Sequence, residues 1–592
     1  MARYRCTVCN WVYDETAEGK KFQTLPHSYT CPVCGAPKSA FVPEGVSKGD
    51  ESIDTTVAEK IVEQLEAFGV TRVYGIPGDS NLPLVEAIRK SGQIDFVLTR
   101  HEETAAFMAS AHGKMTDELG VCMSIAGPGS TNLITGLMDS ATDRSPVLAL
   151  VGQVPEVYLG SEAFQEIDQI ELFRPFAEYA ETVARSNQAL RLVLMATKYA
   201  FKKPGVSVLS TPTDVLVDKL QDPIISPEKR FFRTETEASH EEVDKAVKMI
   251  NECSKPVVFG GWGARHSGDL LVRLAEKLKA PIATTSRAKG IVSEIHPLAV
   301  GVLGSIGMKH AAQAIRDSDL VLIVGSGFRQ ANLVPSGVKI LQIDHDSTRI
   351  GKTFDVDLGL VGDAGKVLRE ITERVEEKQE NKKFLKKVQE IREEHETELA
   401  EFAKDTATPI SPGYLIQALK RTVDKNAVIT VDVGDHTYWS FGTFITEGQR
   451  FYLCANMASM GFALPAAISA AFNFPDRQIV CLTGDGGFGM VMADFTTAVR
   501  ENLPIKVIVF NDSMLKNIKK EQNRDGYPEY GIFFPNPSFA EFAKSSGGFG
   551  VRVEDPMKLD AALKDAFKSD KPALVEVLVD PEKMRASTRR VD

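Results

Sequence analysis

Four cysteines near the start of the chain form two Cys-x-x-Cys pairs, Cys6 with Cys9 and Cys31 with Cys34. Two such pairs place four thiolates around one tetrahedral metal ion, and both iron and zinc accept that ligand set. Iron would cycle between two oxidation states, whereas zinc would only be structural. The ligand types leave both metals open, so they predict either an electron-transfer centre or a structural metal site.

A second candidate site lies near the other end of the chain, in LTGDGGFGM at 482–490. Its glycines follow an apolar run and open a helical one, where backbone N–H groups can approach a phosphate closely. Asp485 in this turn can hold a divalent cation. The next apolar run ends just before Asp512, with 26 residues between the two carboxylates, so both are expected at neighbouring strand ends. The glycines of the turn are Gly484, Gly486 and Gly487.

The elements that position these groups fall into three consecutive blocks, in which short apolar runs alternate with helical patterns. Each apolar run is typical of a buried parallel strand that ends in a loop. The blocks predict an α/β fold of three doubly wound parallel-sheet domains in series, preceded by a small metal knuckle, with sites at the carboxyl ends of strands. The predicted strand runs are VYGIPG (73–78), GVCMSIAGPG (120–129), VLALVGQ (147–153), VSVLSTP (206–212), PVVFGGWG (256–263), PIATTSR (281–287), LVLIVGSG (320–327), KILQID (339–344), VITVDVGD (428–435), QIVCLTGDGG (478–487), IKVIVFND (505–512) and ALVEVLVD (573–580).

Length and charge narrow the possible functions. A chain of 592 residues suggests three or four domains. The formal net charge of −11 disfavours binding to nucleic acid or to an anionic membrane surface. No apolar run approaches the ~18–20 residues that span a bilayer. The other cysteines are scattered and are expected to be buried thiols of a cytoplasmic protein; they are Cys122, Cys253, Cys454 and Cys481.

The pair of Asp485 and Asp512 resembles the Gly-Asp-Gly…Asn-Asn signature of thiamine diphosphate (ThDP) enzymes. The resemblance implies that Asp485, Asp512 and Met514 hold Mg²⁺, which anchors the diphosphate. Asp512 departs from the family pattern, which mostly has asparagine there, and adds a negative charge beside an anionic group. Lys516, where relatives usually have glycine, and Lys519 would offset that charge; alternatively, both lysines are simply exposed.

The segment TRHEETAAFMASAHGKM at 99–115 resembles the His-Glu segment of the same family. The resemblance implies that Glu102 is catalytic, because ThDP chemistry needs a carboxyl group at the aminopyrimidine. Glu103 is better explained as an acid favoured by the dipole at a helix start. In this family one site combines the Glu-bearing domain of one subunit with the diphosphate-bearing domain of another. A homodimer would then be the minimal active unit, and a homotetramer is common.

Further motifs extend the resemblance from about residue 55 to 583. Met460 would wedge the thiazolium ring against the aminopyrimidine, and Gly78 would contact the cofactor from the first block. The motifs are YGIPGDSN at 74–81, AGPGSTN at 126–132, AFQE at 163–166 and ASMGFALPAA at 458–467.

The middle block resembles the FAD-binding domain of pyruvate oxidases and acetolactate synthases, although relatives that have lost flavin keep much of this pattern. The similar segments are GVLGSIG at 301–307, GSGFRQ at 325–330 and LQIDHDSTRIG at 341–351. Asp344 ends a strand, where it could bind a ribose hydroxyl, and glycine turns would admit the pyrophosphate. The implied FAD-binding residues are Gly301, Gly304, Gly325, Phe328 and Asp344.

Within the family, the segment after the metal ligands favours the oxidase type. MLKNIKKEQNRDGYPEYG at 514–531 resembles the oxidase Ile-Lys-x-Glu-Gln element and lacks the Arg-Gln-Trp-Gln element of acetolactate synthases. Glu521 is then a candidate catalytic acid. Asn517 lies where some pyruvate oxidases have a bulky aromatic residue, so the identity of the 2-oxoacid stays open.

The N-terminal segment resembles rubredoxin, including Tyr13, the Leu25–Pro26 pair and the CPVCGAPKSAF run. Its 21 residues between Cys9 and Cys31 are several fewer than in a typical rubredoxin, which implies a trimmed loop. The resemblance favours iron over zinc. A separate redox protein would then collect electrons from this iron.

These resemblances predict a ThDP-, Mg²⁺- and FAD-dependent enzyme of the pyruvate oxidase type with a fused rubredoxin domain. It would decarboxylate a short 2-oxoacid such as pyruvate to acetate or acetyl phosphate and pass the electrons to the iron. The predicted boundaries are 1–43 for the rubredoxin-like Fe(Cys)4 domain, 44–54 for a linker, 55–225 for the N-terminal pyrimidine-binding ThDP domain, 240–372 for the central FAD-binding-like domain, 373–410 for a charged helical connector, 411–583 for the C-terminal diphosphate-binding ThDP domain and 584–592 for a tail.

Two other functions are open. The first is a non-redox carboligase or acyltransferase like acetolactate synthase, with structural or absent FAD. The second is a metal-dependent assembly or redox-sensing scaffold without catalysis. The combination of Glu102, Met460 and Asp485 argues against the scaffold.

Overall fold

The computed structural model of the chain describes residues 3–6, 8–9, 11–26, 29–44, 55–233, 236–328 and 333–585. The predicted linker from residue 45, the tail from residue 586 and Arg329–Gln330 of the GSGFRQ motif lie outside the described residues. The chain forms two compact units, one of residues 1–56 with 219–223 and one of residues 57–218 with 224–592.

The first unit contains a three-stranded antiparallel sheet in the order β2-β1-β3. Aromatic side chains fill its small core; for example, the Tyr4 and Phe22 rings stack with centroids 4.3 Å apart, and the Phe22 and Phe41 rings lie 5.0 Å apart. Stacked and edge-on aromatic pairs add to the free energy of burial in a core of this size. The elements are β1 Arg3–Cys6, β2 Val12–Asp14, α1 Glu15–Glu18 and β3 Phe41–Glu44.

The second unit begins with a six-stranded parallel sheet in the order β5-β4-β6-β7-β9-β8. Its strands are β4 Arg72–Gly75, β5 Asp95–Leu98, β6 Gly120–Ser124, β7 Val147–Gln153, β8 Tyr179–Thr182 and β9 Val206–Pro212. Its helices are α2 Val57–Ala67, α3 Leu82–Ser91, α4 Glu102–Thr116, α5 Pro128–Asn132, α6 Ile134–Asp143, α7 Gln169–Phe173, α8 Ala189–Lys202, α9 Thr213–Val217 and α10 Pro227–Arg230.

The central sheet is also parallel and six-stranded, in the order β12-β11-β10-β13-β14-β15. Helix α11 starts with a capping box, in which the Ser239 hydroxyl accepts from the Glu242 N–H and the Glu242 carboxylate accepts from the Ser239 N–H. The strands are β10 Pro256–Gly260, β11 Ile282–Thr284, β12 Ala299–Val302, β13 Leu320–Val324, β14 Lys339–Asp344 and β15 Leu358–Val361. The helices are α11 His240–Glu252, α12 Gly268–Leu278, α13 Lys309–Arg316 and α14 Ala364–Arg374, and the connector forms α15 Lys382–Phe402.

The third sheet has the order β17-β16-β18-β19-β21-β20. Its strands are β16 Val428–Val431, β17 Arg450–Leu453, β18 Ile479–Gly484, β19 Lys506–Asn511, β20 Phe549–Val553 and β21 Ala573–Leu578. Its helices are α16 Pro412–Thr422, α17 Asp435–Thr443, α18 Ala463–Asn473, α19 Asp485–Val491, α20 Phe495–Arg500, α21 Lys516–Asp525, α22 Phe539–Ser545 and α23 Pro556–Lys568.

Three parallel sheets in series confirm the predicted fold class. Numbered from the first strand of each sheet, the first and third sheets share the order 2-1-3-4-6-5, whereas the central sheet has the order 3-2-1-4-5-6. The latter is the strand order of doubly wound dinucleotide-binding domains. The chain therefore holds two sheets of one topology with a sheet of another topology between them.

Helices α4 and α18 contribute to one hydrophobic core, and many of the side chains that they place in it are alanines. Small side chains let two helix backbones approach closely. Beside them, the buried Lys114 ammonium donates to the carboxylates of Asp139 at 2.7 Å and Asp143 at 2.8 Å. In the described part of the chain, no helix combines the length and apolarity needed to cross a membrane.

Candidate active site

One cavity of about 1820 Å³ opens in the second unit. Part of its wall comes from residues of the first-sheet domain, among them Asp143, Arg144 and Lys198. The rest includes the loops that follow β10, β13, β14 and β15 of the central sheet and β16 of the third sheet. All of these loops leave the carboxyl ends of parallel strands, which is where sites form in such sheets. The volume exceeds the roughly 300–1,000 Å³ of an ordinary small-molecule pocket, so there is room for an extended ligand or for more than one ligand.

The central part of the cavity lies at the point where the strand order reverses, between β10 and β13. Two glycine loops meet there, since the Gly263 N–H donates to the Gly325 carbonyl at 2.9 Å. A Cβ at Gly325 would lie 2.5 Å from the Gly263 Cα, so no side chain fits between the loops. This crevice is the expected position of a dinucleotide pyrophosphate.

Four of the five predicted flavin-site residues line the cavity: Gly304, Gly325, Phe328 and Asp344. Gly301 instead packs against the side chain of Met308, whose Sδ would lie 2.2 Å from an added Cβ. Asp344 ends β14, and burial raises the pKa of its carboxyl group.

The turn around Asp485 begins α19 in the third sheet. The Asp485 carboxylate accepts hydrogen bonds from Gly486 N–H at 2.8 Å, Ser513 N–H at 2.7 Å and the Asn536 side-chain amide at 2.8 Å. Burial raises the pKa of this carboxyl group. The bonds orient Asp485 at the junction of the loops after β18 and β19, as the crossover spacing predicted.

Asp512 lies in the loop after β19, with its Oδ2 3.4 Å from the Lys516 ammonium. Burial raises the pKa of Asp512 to about 7, against the opposing effect of Lys516. The alternative that both lysines are simply exposed is wrong for Lys516, whose side chain is only 2% exposed. Lys519 is also buried, but it pairs with Glu582 and Glu529.

Asp432 was not identified as a site residue from the sequence, yet its buried carboxylate joins three loops. It accepts from Gly461 N–H at 2.9 Å and from the Thr483 hydroxyl at 3.1 Å. Burial raises the pKa of Asp432 to about 6. Gly461 directly follows Met460, so the hydrogen bond from Gly461 to Asp432 also fixes the backbone beside the predicted wedge. The Met460 methyl group lies near the Asp485 turn, because it would be 3.0 Å from a Cβ at Gly486.

His436 is a second residue that the sequence reasoning missed. Its buried Nε2 has no hydrogen-bond partner among the described residues. The ring lies beside the Asp485 turn, since a Cβ at Gly484 would be 3.1 Å from the His436 Nδ1. Burial lowers the pKa of His436 to about 4. An unpaired buried ring nitrogen at this turn fits an external ligand with polar atoms.

Glu102 begins α4 in the first sheet, where the His101 ring accepts from the Glu103 N–H. The Glu102 carboxylate accepts from the Asn132 side-chain amide at 3.0 Å. A Cβ at Gly129 would lie 3.4 Å from the other carboxylate oxygen. The predicted AGPGSTN motif therefore lies directly beside Glu102.

The remaining first-sheet motifs lie around that segment. A Cβ at Gly78 would meet the Ile125 side chain at 2.5 Å, and a Cβ at Gly127 would meet Gln165 of the AFQE motif at 3.0 Å. Three motifs that are distant in the sequence thus converge near Glu102.

Two predicted catalytic residues do not line the large cavity of this single chain. Glu102 and Glu521 are both absent from the described residues that form its wall. Glu521 lies on α21 and is exposed, whereas Asn517 on the same helix lines the cavity with a buried, unpartnered Oδ1. The wall also lacks Asp485, Asp512 and Met460 among its described residues, and the third sheet contributes instead the loop after β16 and Asn517.

The four N-terminal cysteines converge in the first unit, with all ligand atoms within 4.8 Å of one another. The sulfur–sulfur distances are 3.6 Å for Cys6 and Cys34 and 3.5 Å for Cys9 and Cys31. A tetrahedral metal with bonds of about 2.3 Å needs sulfur atoms about 3.8 Å apart. The thiols therefore fit one tetrahedral metal ion.

Four family profiles match successive parts of the chain. Three are described as the N-terminal TPP binding, central and C-terminal TPP binding domains of thiamine pyrophosphate enzymes, at residues 55–172, 243–371 and 432–577. The fourth is rubredoxin, at residues 3–41. The chain belongs to the thiamine pyrophosphate enzyme family. It carries, in addition, an N-terminal rubredoxin domain.

Relatives of this thiamine pyrophosphate enzyme fall into more than one activity class. A Bacillus subtilis protein described as thiamine pyrophosphate-containing, YdaP, is 36% identical over 529 residues, covering 89% of this chain and 92% of its own. Acetolactate synthase isozyme 1 large subunit of Escherichia coli is 31% identical, covering 89% and 94%. Pyruvate oxidase of Lactiplantibacillus plantarum is 28% identical, covering 90% of each chain.

In this thiamine pyrophosphate enzyme the two matched TPP-binding domains correspond to the two sheets that share one strand order. The matched central domain has the dinucleotide-type order. The domain boundaries proposed from the sequence contain all four matched ranges, and the exact boundaries stay a prediction.

Proposed function

We propose that this enzyme oxidatively decarboxylates a short 2-oxoacid, namely pyruvate, and exports the electrons through its rubredoxin domain. When bound, ThDP would supply the carbon nucleophile, FAD the two-electron sink and the rubredoxin iron a one-electron carrier. With water as acyl acceptor, pyruvate gives acetate, CO₂, two electrons and two protons; phosphate would give acetyl phosphate. A soluble redox protein would take the electrons from the iron one at a time, in the cytoplasm.

The observation that carries the proposal is the large cavity that joins the central and third sheets. Its wall includes Gly325 and Asp344 on one side and Val433 and Gly434 on the other. A flavin held by the central loops would therefore share one space with the loop that precedes His436. A shared space would let the flavin approach the substrate-derived intermediate closely, as direct reduction of the flavin by the 2-oxoacid requires.

The residues of the third sheet fit Mg²⁺ and a diphosphate. Asp485 and Asp512 supply the hard oxygen ligands that Mg²⁺ prefers, and the Met514 carbonyl would supply a third. The Nε2 of His436, which has no partner in the described part of the chain, and the N–H groups at the start of α19 would contact the diphosphate. Met460 would hold the bent cofactor.

The central sheet fits FAD. Asp344 at the end of β14 would accept a ribose hydroxyl, and the crevice at Gly263 and Gly325 would admit the pyrophosphate. Arg287 and Arg349 line the same cavity and would balance the charge of the pyrophosphate. The strand order of this sheet, unlike that of its neighbours, is the dinucleotide type.

Glu102 would hold and move a proton at the aminopyrimidine. The resemblance to this family implies that the diphosphate-binding domain of a second copy completes the site, and thus a homodimer or a dimer of dimers. Asn132 would keep the Glu102 carboxylate oriented.

Anaerobic addition of pyruvate to the reconstituted full-length enzyme tests the proposal. We expect flavin absorbance to bleach within the turnover time and the ferric–thiolate band to bleach after it, with acetate as product. Acetolactate without flavin bleaching would refute the oxidase and establish the carboligase.

The carboligase is the second candidate because acetolactate synthases are among the relatives at 31% identity. The segment at 514–531, which has the oxidase-like Lys519 and Glu521, favours the oxidase. A native domain loaded with zinc would remove the electron-export step while leaving decarboxylation possible.

A further inference from the structure

Four charged side chains lie beside the Asp485 turn and form what we call the charge cluster: Asp435, Asp512, Lys516 and Lys520. The Asp435, Asp512 and Lys516 side chains are 7%, 10% and 2% exposed, so most of this charge is withdrawn from water. Burying unpaired charges is costly. The cluster balances two carboxylates with two ammonium groups.

Lys516 is the centre of the cluster. Its Nζ lies 3.4 Å from Asp512 Oδ2 and 3.6 Å from Asp435 Oδ2, and it donates to the Asp580 carbonyl at 2.8 Å. These contacts fix the ammonium between the two carboxylates.

Asp435 has its own partners. Lys520 donates to its Oδ1, and the Trp439 indole N–H donates to its Oδ2 at 2.9 Å. Asp435 therefore depends less on Lys516 than Asp512 does. Asp512 has no other cation near it among the described residues, because Lys519 turns to Glu582 and Glu529.

The 3.4 Å separation of Lys516 and Asp512 is longer than a close charged hydrogen bond of about 2.7–2.9 Å. At this distance the Lys516 ammonium offsets the negative charge of Asp512 but does not occupy both carboxylate oxygens with close hydrogen bonds. Asp512 can therefore still present an oxygen to a second cation.

We propose that Lys516 is a residue that acts through Asp512: its ammonium cancels the charge of that carboxylate, so that Asp512 can serve as a metal ligand without repelling the diphosphate. This inference rests on the Mg²⁺–diphosphate site of the proposed function, but it does not depend on oxidation, on flavin or on iron.

The proposal predicts that removal of the Lys516 ammonium changes the affinity for a cation and the affinity for an anion in opposite directions. Lys516→Met leaves two adjacent carboxylates, Asp485 and Asp512, without the ammonium. Metal alone should then bind more tightly, and ThDP at saturating metal should bind more weakly. Each shift should be at least roughly tenfold, because charges this close interact strongly in a buried site. A purely structural role would weaken both affinities together.

Mn²⁺ serves as the metal probe, measured by electron paramagnetic resonance on the full-length apo protein. ThDP binding is measured by quenching of tryptophan fluorescence at saturating Mn²⁺. Asp512→Asn should weaken Mn²⁺ binding and leave ThDP binding equal or tighter. The double variant Asp512→Asn with Lys516→Met should bring ThDP affinity back to within about threefold of the parent, since it removes both charges of the pair.

Lys519→Met is the matched control, since Lys519 lies one turn along α21 and its ammonium, like that of Lys516, bonds the segment after β21. It should change neither affinity. If the Lys516→Met variant does not fold, the double variant is compared with Asp512→Asn instead. The double variant must then bind Mn²⁺ more tightly, and ThDP more weakly, than Asp512→Asn does. The proposal is overturned if both affinities fall together, if Lys519→Met has the same effect, or if the double variant shows no recovery.

Failure of this proposal and failure of the oxidase proposal are distinguishable. The binding measurements need no substrate and no redox cofactor. An enzyme that binds ThDP as predicted yet makes acetolactate would keep the role of Lys516 and lose the oxidase.

Discussion

Gly325→Ala should separate flavin binding from ThDP binding. Gly325 has a φ of +64°, a left-handed conformation in which a side chain costs roughly 1–2 kcal/mol. The added Cβ would also lie 2.5 Å from Gly263 Cα and 2.6 Å from Ala264 N, both backbone atoms. Because an ordinary carbon contact is about 3.5–4.0 Å, the loops after β10 and β13 must separate by about 1 Å.

That displacement opens the crevice proposed for the FAD pyrophosphate. The roughly 1–2 kcal/mol cost of a side chain at this φ, if it falls on the bound state, lowers FAD affinity by about tenfold. ThDP affinity should change by less than about twofold, because its loops belong to the third sheet. Fluorescence titration of the deflavinated protein with FAD, beside a ThDP titration, measures both.

Gly337→Ala is the matched control. Gly337 has a φ of +87°, yet nothing lies within 4 Å of an added Cβ. It should lose the same roughly 1–2 kcal/mol of folding free energy in a urea titration but keep its FAD affinity. Equal FAD affinity in Gly325→Ala and the parent, or an equal loss in Gly337→Ala, would refute the assignment of this crevice to the pyrophosphate.

Four other predictions follow from the site and the fold. Glu102→Gln should leave folding and ThDP binding intact and slow hydrogen exchange at C2 of bound ThDP by roughly 10²–10⁴-fold, measured by NMR; an unchanged rate removes Glu102 from the mechanism. Asp485→Ala should abolish Mg²⁺-dependent ThDP binding in the fluorescence titration, and retention of that dependence would place the metal elsewhere. Burial lowers the pKa of His310 to about 3, so the unfolded chain, with a histidine pKa of about 6.5, takes up a proton first as pH falls. Stability is thus lost below pH ~6.5, and His310→Leu should reduce the loss between pH 7 and 5 by about 2 kcal/mol in urea titrations, whereas parallel curves would contradict this account. Deletion of residues 1–43 should spare flavin reduction by pyruvate and sharply lower turnover with a one-electron acceptor in stopped-flow assays; unchanged turnover would show another electron exit.

The pattern of predicted and missed strands has a single physical cause. The apolar runs read from the sequence correspond to the inner strands of all three sheets, among them β7, β9 and β14 with the predicted bounds. In the three parallel sheets, the strands that were missed are the edges: β5, β8, β12, β15, β17 and β20. An inner parallel strand is covered on both faces and is continuously apolar, whereas most of these edge strands mix buried residues with partly or fully exposed ones and give no such run.

The residues of the candidate site also fall into two groups, those that the sequence could reveal and those that it could not. Motif residues such as Asp485 and Glu102 could be found because their neighbours in the sequence are part of the signal. Asp432, His436 and Asn536 could not, since each acts through partners that are distant in the sequence.

The sequence by itself determined the fold class, the four thiolate ligands and the acidic turn, because these depend on local spacing and on the periodicity of apolar residues. The resemblance of its motifs to those of a known family indicated the family. Only the tertiary structure decided that Lys516 is buried against Asp512 rather than exposed, and that Glu102 lies apart from the cavity of its own chain. Burial and charge pairing depend on which strand ends and helices contact each other in the folded chain. The spacing of residues along the sequence does not specify those contacts.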